Sequence, residues 1–175
     1  MVSLDVTVLV CTYSEIALKG KNRPLFQRRL LNAMRRALAG EPVATINHVE
    51  SRYLVRLDDP ARAEACVEKL GRVFGIRWIA PAVAVPRHET RDDLARLSDL
   101  AVRLATRDAG GARTFKIETR RSDRRYPINS QDISREVGHH VGAALGLPAR
   151  MSHPDFTVFV WKVTAATEIY TTQRE

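Results

Sequence analysis

The sequence has 175 residues, 45% of them hydrophobic, which is enough for one ordinary domain or two very small ones that fold without metal ions or disulfides. Lysine and arginine total 28 against 20 acidic residues, and the resulting formal charge of +8 favours a polyanionic partner, nucleic acid first, over an acidic protein or a neutral metabolite. Two cysteines are too few for a disulfide framework, and no apolar run approaches the roughly 20 residues of a membrane span, so we expect a cytoplasmic protein that is neither exported nor embedded in a membrane.

The first half of the chain predicts the order strand, helix, strand, strand, helix, strand. The strands are expected at residues 4–11, 45–48, 53–57 and 78–85, and the helices at residues 22–39 and 60–70. Asn22 is the expected N-cap of the first helix, with Pro24 in its first turn. This order is ferredoxin-like, so we assign residues 1–80 to an N-terminal ferredoxin-like domain.

The second half, residues 81–175, predicts a second small domain that Pro81 and Pro86 separate from the first. The elements expected there are a helix from Thr90 to the glycines at 110 and 111, a half-exposed strand over 114–120, a helix from Asn129 or Ser130 to Gly146, and a hairpin over 156–163 and 168–172. Together the two halves predict an α/β (α+β) fold.

The positive charge is concentrated in two segments of the sequence. Residues 19–36 contain seven basic side chains and no acidic one, and residues 113–125 contain six basic and two acidic ones, so the segments carry +7 and +4. Their sum, +11, exceeds the total of +8, and the remaining residues are net negative. One such run is more often a solvated helix face, but two runs that together exceed the whole charge indicate a binding surface for RNA.

The first basic segment predicts a helix with two different faces. Phe26, Leu30 and Met34 recur at helical spacing and form an apolar stripe. Four arginines, Arg28, Arg29, Arg35 and Arg36, recur in pairs seven residues apart and therefore share the opposite face.

The residues that catalysis or metal binding would need are missing from the sequence. Lys19-Gly20-Lys21 is similar to a phosphate-binding loop, but Glu15 and Asn22 occupy the positions that require Gly and Ser or Thr. A strand-to-helix turn with two lysines can still hold a phosphate of a larger ligand. Glu15 is interpreted as an ion-pair partner rather than a catalytic base. No histidine pair has metal-binding spacing and no Ser or Cys lies in a nucleophile motif, so we predict no catalytic residue, metal ion or cofactor.

The second basic segment continues into a loop that combines guanidinium groups with an aromatic ring. Arginine binds phosphate and stacks on bases, and Tyr126 can stack as well, which suits single-stranded RNA or the end of an RNA helix. Tyr126 and Pro127 could equally pin the loop to the core. The complete set of predicted RNA-binding residues is Lys19, Lys21, Asn22, Arg23, Arg28, Arg29, Lys116, Arg120, Arg121, Arg124, Arg125, Tyr126 and Ser130.

Several motifs in this sequence resemble the tRNA 4-thiouridine synthetase (ThiI) family, which is also linked to thiamine biosynthesis. They are Tyr13-Ser14-Glu15-Ile16-Ala17-Leu18-Lys19-Gly20-Lys21-Asn22-Arg23, Phe74-Gly75-Ile76, Thr114-Phe115-Lys116, Arg120-Arg121-x-Asp123-Arg124-x-Tyr126-Pro127 with Ser130, Glu136-Val137-Gly138, and Pro154-Asp155. Trp161-Lys162 stands where the family tends to have an acidic residue. An exposed Trp161 would mark a protein contact, whereas a buried one is a core residue.

The resemblance implies a ferredoxin-like domain followed by a THUMP domain, which together grip the acceptor end of tRNA. In that family a pyrophosphatase-loop domain follows, adenylates a uridine with ATP and receives sulfur through catalytic cysteines there or in a rhodanese domain. The sequence stops at Glu175, where the family continues into that domain. The resemblance therefore implies tRNA recognition without catalysis, serving a separate adenylating or sulfur-transfer protein.

Two alternatives to RNA recognition stay open. One is a protein-interaction or assembly module whose basic faces bind an acidic protein, and the weaker one is an enzyme. The sequence decides neither the modified nucleoside, nor the catalytic partner, nor the oligomeric state, for which a homodimer is one option. The RNA hypothesis expects one continuous positive track across both halves.

Overall fold

The computed structural model of the protein describes residues 5–14, 22–86, 91–122, 127–162 and 166–171. They form two compact units, of which the first spans Asp5–Ala82 and the second begins at Val83. The elements are, in chain order, β1 (Val8–Tyr13), α1 (Arg23–Ala37), β2 (Val43–Val49), β3 (Arg52–Leu57), a 3-10 turn (Pro60–Arg62), α2 (Ala63–Gly71), β4 (Ile76–Pro86), α3 (Arg91–Asp108), β5 (Phe115–Arg121), α4 (Ser130–Leu145), β6 (Phe156–Lys162) and β7 (Ala166–Thr171). This mixture of helices and strands confirms the predicted fold class.

The first unit is an antiparallel sheet covered by two helices. Its strands lie in the order β2-β3-β1-β4, and every neighbouring pair is antiparallel. Alternate residues of β1, Leu9 and Cys11, pack with Met34 of α1 and with Cys66 and Leu70 of α2 in one apolar core. The ferredoxin-like order predicted for this half is confirmed.

Helix α1 begins as the sequence predicts, but without the expected side-chain cap. Pro24 lies in its first turn, where a missing N–H costs nothing. Asn22 has helical backbone angles, and its side chain accepts no hydrogen bond from the helix. The capping role that we predicted for the Asn22 side chain is therefore wrong. At the other end Gly40 has a φ of +83°, a conformation that glycine adopts without strain.

A nearly buried carboxylate ties the end of α1 to α2. The side chain of Glu41 is 3% exposed, and its oxygens accept hydrogen bonds from two guanidinium nitrogens of Arg62, each at 2.9 Å, and from the ammonium group of Lys69 at 2.6 Å. These hydrogen bonds lower the pKa of Glu41 from 4.5 to about 2. The carboxylate therefore favours the folded state only while it is charged.

We expect Glu41→Gln to lower the melting temperature of the first unit at neutral pH, since the amide cannot replace the charge-assisted hydrogen bonds. The lowered pKa fixes the sign of the pH effect: the stabilisation is complete above about 4.5 and is lost as the pH falls toward 2. Wild type and variant should therefore converge in thermal unfolding, followed by circular dichroism, over that range. Glu68→Gln, which removes an exposed ion pair with Arg72, is the matched control. A constant difference between wild type and Glu41→Gln at every pH would contradict this account.

The second unit contains a mixed sheet with strand order β4-β7-β6-β5. Strand β5 pairs with β6 in parallel, whereas β6 with β7 and β7 with the last residues of β4 are antiparallel. Helices α3 and α4 cover this sheet through one apolar core, whose most buried members include Leu100, Leu104, Ile133, Val137 and Phe115. No helix of the described residues is long and apolar enough to cross a membrane.

The two prolines expected at the join of the two halves both belong to strand β4, and the boundary between the compact units falls between them. Strand β4 continues through Pro81 to Pro86. Pro81 pairs with Leu9 on one side, while β7 pairs with β4 only from Val83 onward. A residue without an N–H is tolerated where a strand has one partner, which explains why Pro81 does not interrupt β4.

Trp161 and Lys162 at the end of β6 are both buried in the second unit. The indole of Trp161 is 1% exposed, and its Nε1 donates to the hydroxyl of Ser122 at 3.1 Å. The interpretation of Trp161 as an exposed protein contact is therefore wrong, and the core interpretation holds. The ammonium group of Lys162 lies 3.6 Å from the carboxylate of Asp93, and both side chains are nearly inaccessible to solvent.

Candidate nucleic-acid interface

Helix α1 presents a surface of guanidinium groups, which we call the arginine face. Its members are Arg28, Arg29, Arg35 and Arg36, all exposed; Arg23, also exposed, lies at the start of the helix outside this face. The helix buries Leu30 and Met34 on its opposite side, as the apolar stripe predicts. Asn22 is exposed at the start of this helix. Lys19, Lys21 and Glu15 lie outside the described residues.

The arginine face is electrostatically uncompensated within the described part of the chain. Helix α1 contains no acidic side chain, and none of its five exposed arginines forms an ion pair with a described residue. The N–H donors of each guanidinium are therefore available to an external acceptor. Their planar arrangement matches two oxygens of a phosphate group.

A network of aromatic and polar side chains holds the first turn of α1 against the sheet. The amide of Gln27 donates to the hydroxyl of Tyr13 at 3.2 Å, and that hydroxyl lies 2.9 Å from Nε2 of His48. Tyr53 donates to the backbone carbonyl of Gln27 at 2.9 Å. Partial burial and the nearby positive charge of Arg23 lower the pKa of His48, so its ring is kept neutral and can accept from Tyr13. Sequence reasoning missed this network because its members come from four separate elements.

The second unit contains a groove of about 740 Å³ between β5 and α4, which we call the β5–α4 groove. Its polar lining comprises Lys116, Glu118, Thr119, Ser130, Gln131, Ser134, Arg135 and His139. Strand β5 is the last strand of its sheet, so the groove runs along a sheet edge. The structure thus brings together two of the predicted residues, Lys116 and Ser130.

Gly142 on α4 allows this helix to lie close to β5. A side-chain carbon at Gly142 would meet the ring of Phe115 at 3.3 Å, and one at Gly138 would meet Ile117 at 3.5 Å. The first of these distances is tighter than ordinary packing allows. The distance at Gly138, in the motif Glu136-Val137-Gly138, is an ordinary contact, so close packing requires glycine only at Gly142.

The groove is less positive than the count of basic residues in its segment indicates. Glu118 lies between Lys116, at 3.4 Å, and Arg120, at 3.6 Å, and forms an ion pair with each. Arg135 is paired with Asp132 at 3.0 Å. All of these paired side chains are at least partly exposed, so the pairs can exchange for contacts with a ligand at small cost.

Arg121 has a structural contact that sequence reasoning did not anticipate. Its Nη1 donates to the backbone carbonyl of Ile128 at 3.0 Å, across the loop that follows β5. The side chain is half-buried, unlike that of Arg120, which is 55% exposed. Arg121 thus stabilises the far end of this loop. Arg124, Arg125 and Tyr126 lie outside the described residues.

The start of α4 settles which of two residues caps it. The side-chain oxygen of Asn129 accepts from the backbone N–H of Asp132 at 2.8 Å, so Asn129 is the N-cap. Ser130 is the first residue of the helix and lines the groove. Its hydroxyl is not needed as a cap and is placed beside the groove.

The motif Pro154-Asp155 fixes the start of β5. The carboxylate of Asp155 accepts from the backbone N–H groups of Arg113, at 3.0 Å, and Thr114, at 3.1 Å, and from the Thr114 hydroxyl. The Thr114 hydroxyl in turn accepts from the backbone N–H of Asp155. The hydrogen bond from Arg113 and those from Thr114 lower the pKa of Asp155, so it stays charged at neutral pH.

The described residues offer no metal centre and no activated thiol. No group of three or more potential metal ligands occurs among them. Cys11 and Cys66 are both fully buried, and burial raises the pKa of Cys11 to about 12 and also raises that of Cys66. Neither thiol is therefore a nucleophile in the folded protein.

Comparison with known proteins identifies both units. The ThiI ferredoxin-like domain matches residues 8–80, and the THUMP domain matches residues 91–171. A probable tRNA sulfurtransferase of Moorella thermoacetica is 36% identical over 155 residues, which are 88% of this chain and 37% of that protein. One of Brevibacillus brevis is 32% identical and covers 95% of this chain and 40% of that protein. The chain thus spans about two fifths of the length of these relatives.

Solved structures share the fold. PH1313 from Pyrococcus horikoshii has a TM-score of 0.77 at 24% identity, over 95% of this chain and 54% of that one. A 4-thiouridine synthetase in complex with RNA and ATP has a TM-score of 0.75 at 24% identity, over 95% of this chain and 41% of that one. TrmN from Thermus thermophilus has a TM-score of 0.67 at 17% identity, over 96% of this chain and 46% of that one.

Proposed function

We propose that this chain, which belongs to the ThiI family through its ferredoxin-like and THUMP domains, binds tRNA as the recognition part of a thiolation system. Its relatives are named probable tRNA sulfurtransferases, and one protein of the same fold was solved with RNA. The proposal assigns adenylation and sulfur transfer to a separate domain or protein, and the buried thiols of Cys11 and Cys66 are unsuited to carry sulfur.

The arginine face is the single observation that carries this proposal. Its four exposed guanidiniums lie on one face of a helix that contains no acidic side chain. Arg28 and Arg35 lie two turns apart, about 10 Å along the helix axis. Such a row binds successive phosphates of a nucleic-acid backbone, whereas a neutral metabolite would engage only one of them. Phosphate contacts of this kind supply affinity and orientation, so the arginine face is the surface that holds the duplex part of tRNA.

The β5–α4 groove is the site proposed for the unpaired end of the acceptor stem. Its polar lining mixes amide, hydroxyl, ammonium, guanidinium, imidazole and carboxylate groups, which can hydrogen-bond the edges of unstacked bases. Ser130 and Lys116 can each contact a phosphate there, and Arg120 lies on the same strand as Lys116. Arg121 takes the role of a positioning residue for the following loop. The continuous positive track across both domains stays a prediction.

Charge reversal on the arginine face tests the proposal. We expect Arg29→Glu to weaken the binding of full-length tRNA by about tenfold, because one phosphate contact is lost and one repulsion is added. Arg96→Glu on α3 is the matched control, since Arg96 is also exposed on a helix but belongs to neither candidate surface. Its effect should stay within about twofold. Fluorescence anisotropy with labelled tRNA, an acceptor-stem minihelix and an anticodon stem-loop measures both affinity and acceptor specificity.

Equal losses for Arg29→Glu and Arg96→Glu would mean that only the overall charge matters, and the arginine face would be refuted as a site. Equal affinity for the acceptor minihelix and the anticodon stem-loop would refute acceptor-end recognition. Absence of tRNA binding, together with a protein partner that is retained after nuclease treatment, would favour the assembly module instead.

A further inference from the structure

Phe74, in the turn between α2 and β4, is an aromatic side chain left almost entirely in water. It is 96% exposed, more than any other large hydrophobic residue of the described chain. Burying a phenylalanine ring is favourable, so a ring this exposed is a candidate contact for another molecule where it adjoins further apolar surface. Phe74 belongs to neither of the two hydrophobic cores and does not pack against them.

The backbone of this turn is fixed in a way that holds Phe74 outward. Gly75 has a φ of +102°, and a side-chain carbon there would approach the ring of Phe26 to 3.1 Å. The carbonyl of Gly75 accepts from the backbone N–H of Ser14 at 3.2 Å, and Val73 donates to the carbonyl of Leu70 at 2.9 Å. The exposure of Phe74 is therefore built into the turn, and Gly75 is the residue that permits it.

A groove of about 670 Å³ adjoins the ring of Phe74. Its apolar floor is formed by Phe26, Val73 and Ile76, all partly buried, and Arg72 and Arg77 stand at its margin. None of the described residues that line it is acidic. Phe74, this floor and the two arginines are together called the Phe74 platform.

The charges of the Phe74 platform distinguish between two kinds of occupant. Arg72 is paired with Glu68, whereas no described residue forms an ion pair with Arg77, which is exposed. An apolar protein segment would gain nothing from an unpaired guanidinium beside it. A nucleotide combines a flat apolar base with a phosphate, and aromatic rings flanked by cations are the usual binding sites for unpaired nucleotides.

We infer that the Phe74 platform binds one unpaired nucleobase of an RNA strand, with the base stacked on Phe74 and the adjoining phosphate at Arg77. This inference rests on the proposed function, since it supposes that the chain binds RNA. It adds a base-stacking site in the ferredoxin-like domain, apart from the arginine face and from the β5–α4 groove. Stacking of this kind tolerates any base, so the site contributes affinity for unpaired RNA rather than sequence specificity.

A substitution series at Phe74 tests the inference with a single-stranded RNA of about eight nucleotides and with a blunt-ended RNA duplex as separate probes. We expect Phe74→Ala and Phe74→Leu to weaken binding of the single strand by about tenfold, because leucine keeps the apolar volume but has no π-face. Phe74→Tyr should bind like wild type. Arg96→Ala, an exposed position on α3 that belongs to none of the proposed RNA-binding surfaces, is the control. None of these changes should alter binding of the duplex or the melting temperature.

A direct contact can be located by placing 5-iodouridine in the single strand and identifying the crosslinked peptide by mass spectrometry after irradiation. A crosslink at Phe74 supports the inference. Unchanged single-strand affinity in both Phe74→Ala and Phe74→Leu would overturn it in favour of a protein contact, and so would a loss in Phe74→Ala that Phe74→Leu restores. If the wild type binds neither the duplex nor tRNA, the proposed function fails. If it binds both and the Phe74 substitutions leave the affinity for the single strand unchanged, this inference alone fails.

Discussion

The affinity of the chain for tRNA is expected to fall by about three to five orders of magnitude when the salt concentration rises from about 50 to about 200 mM. Helix α1 offers five exposed guanidiniums, four of them on the arginine face, and Lys116 and Arg120 add two further cations beside the β5–α4 groove. Contacts with about 6–10 phosphates displace a comparable number of condensed counterions, which makes the binding constant steeply salt-dependent. Titration of labelled tRNA over a salt series at fixed pH measures the slope.

Variants of the arginine face show whether this slope comes from the proposed residues. Arg29→Glu should reduce the logarithmic slope by about one or slightly more, in line with the loss of one phosphate contact, while Arg96→Glu should leave it almost unchanged. An affinity that hardly responds to salt would be incompatible with a phosphate-binding surface and would exclude tRNA recognition through the arginine face.

Removal of one partner from the buried pair of Lys162 and Asp93 is expected to have the largest effect on stability. Their side chains are 5% and 6% exposed and lie 3.6 Å apart. Lys162→Met leaves the Asp93 carboxylate buried without this counter-charge, which should lower the free energy of unfolding of the second unit by about 3–5 kcal/mol. Urea denaturation in a Trp78→Phe background, with Trp161 as the fluorescent reporter of this unit, provides the measurement.

The double variant Asp93→Asn with Lys162→Met tests whether the loss of stability comes from the interaction between the two charges. It removes both charges and should recover most of the lost stability, because a buried ion pair can often be exchanged for neutral groups at little cost. Lys116→Met is the control, since its pair with Glu118 is partly exposed and should be worth at most about 1 kcal/mol. A double variant as unstable as Lys162→Met alone would show that the two charges do not act on each other.

Patterns that depend on a single element were predictable from the sequence. The apolar stripe of α1, with Leu30 and Met34, follows from the helical repeat, and the exposed positions of Arg28 and Arg29 follow from the same repeat. The alternation of strands and helices likewise indicated the ferredoxin-like order, because each strand was bounded by turn-forming residues.

Features that depend on contacts between elements were not predictable in the same way. A count of charges cannot tell that Glu118 is shared between Lys116 and Arg120, or that Arg121 is turned toward the carbonyl of Ile128. The exposure of Phe74 was hidden for a similar reason, since a phenylalanine near a helix end normally predicts a core position. In each case tertiary neighbours, and not local propensity, decide where the side chain goes.

The placement of the two cysteines has a practical consequence. Cys11 and Cys66 are the only thiols in the sequence, and both are enclosed in the core of the ferredoxin-like domain. An alkylating reagent can therefore reach them only when that domain opens. The rate of thiol labelling under native conditions then reports how often the domain opens. The THUMP domain carries no cysteine, so thiol labelling does not detect its motions. A decrease in labelling rate on ligand binding would therefore report stabilisation of the ferredoxin-like domain alone.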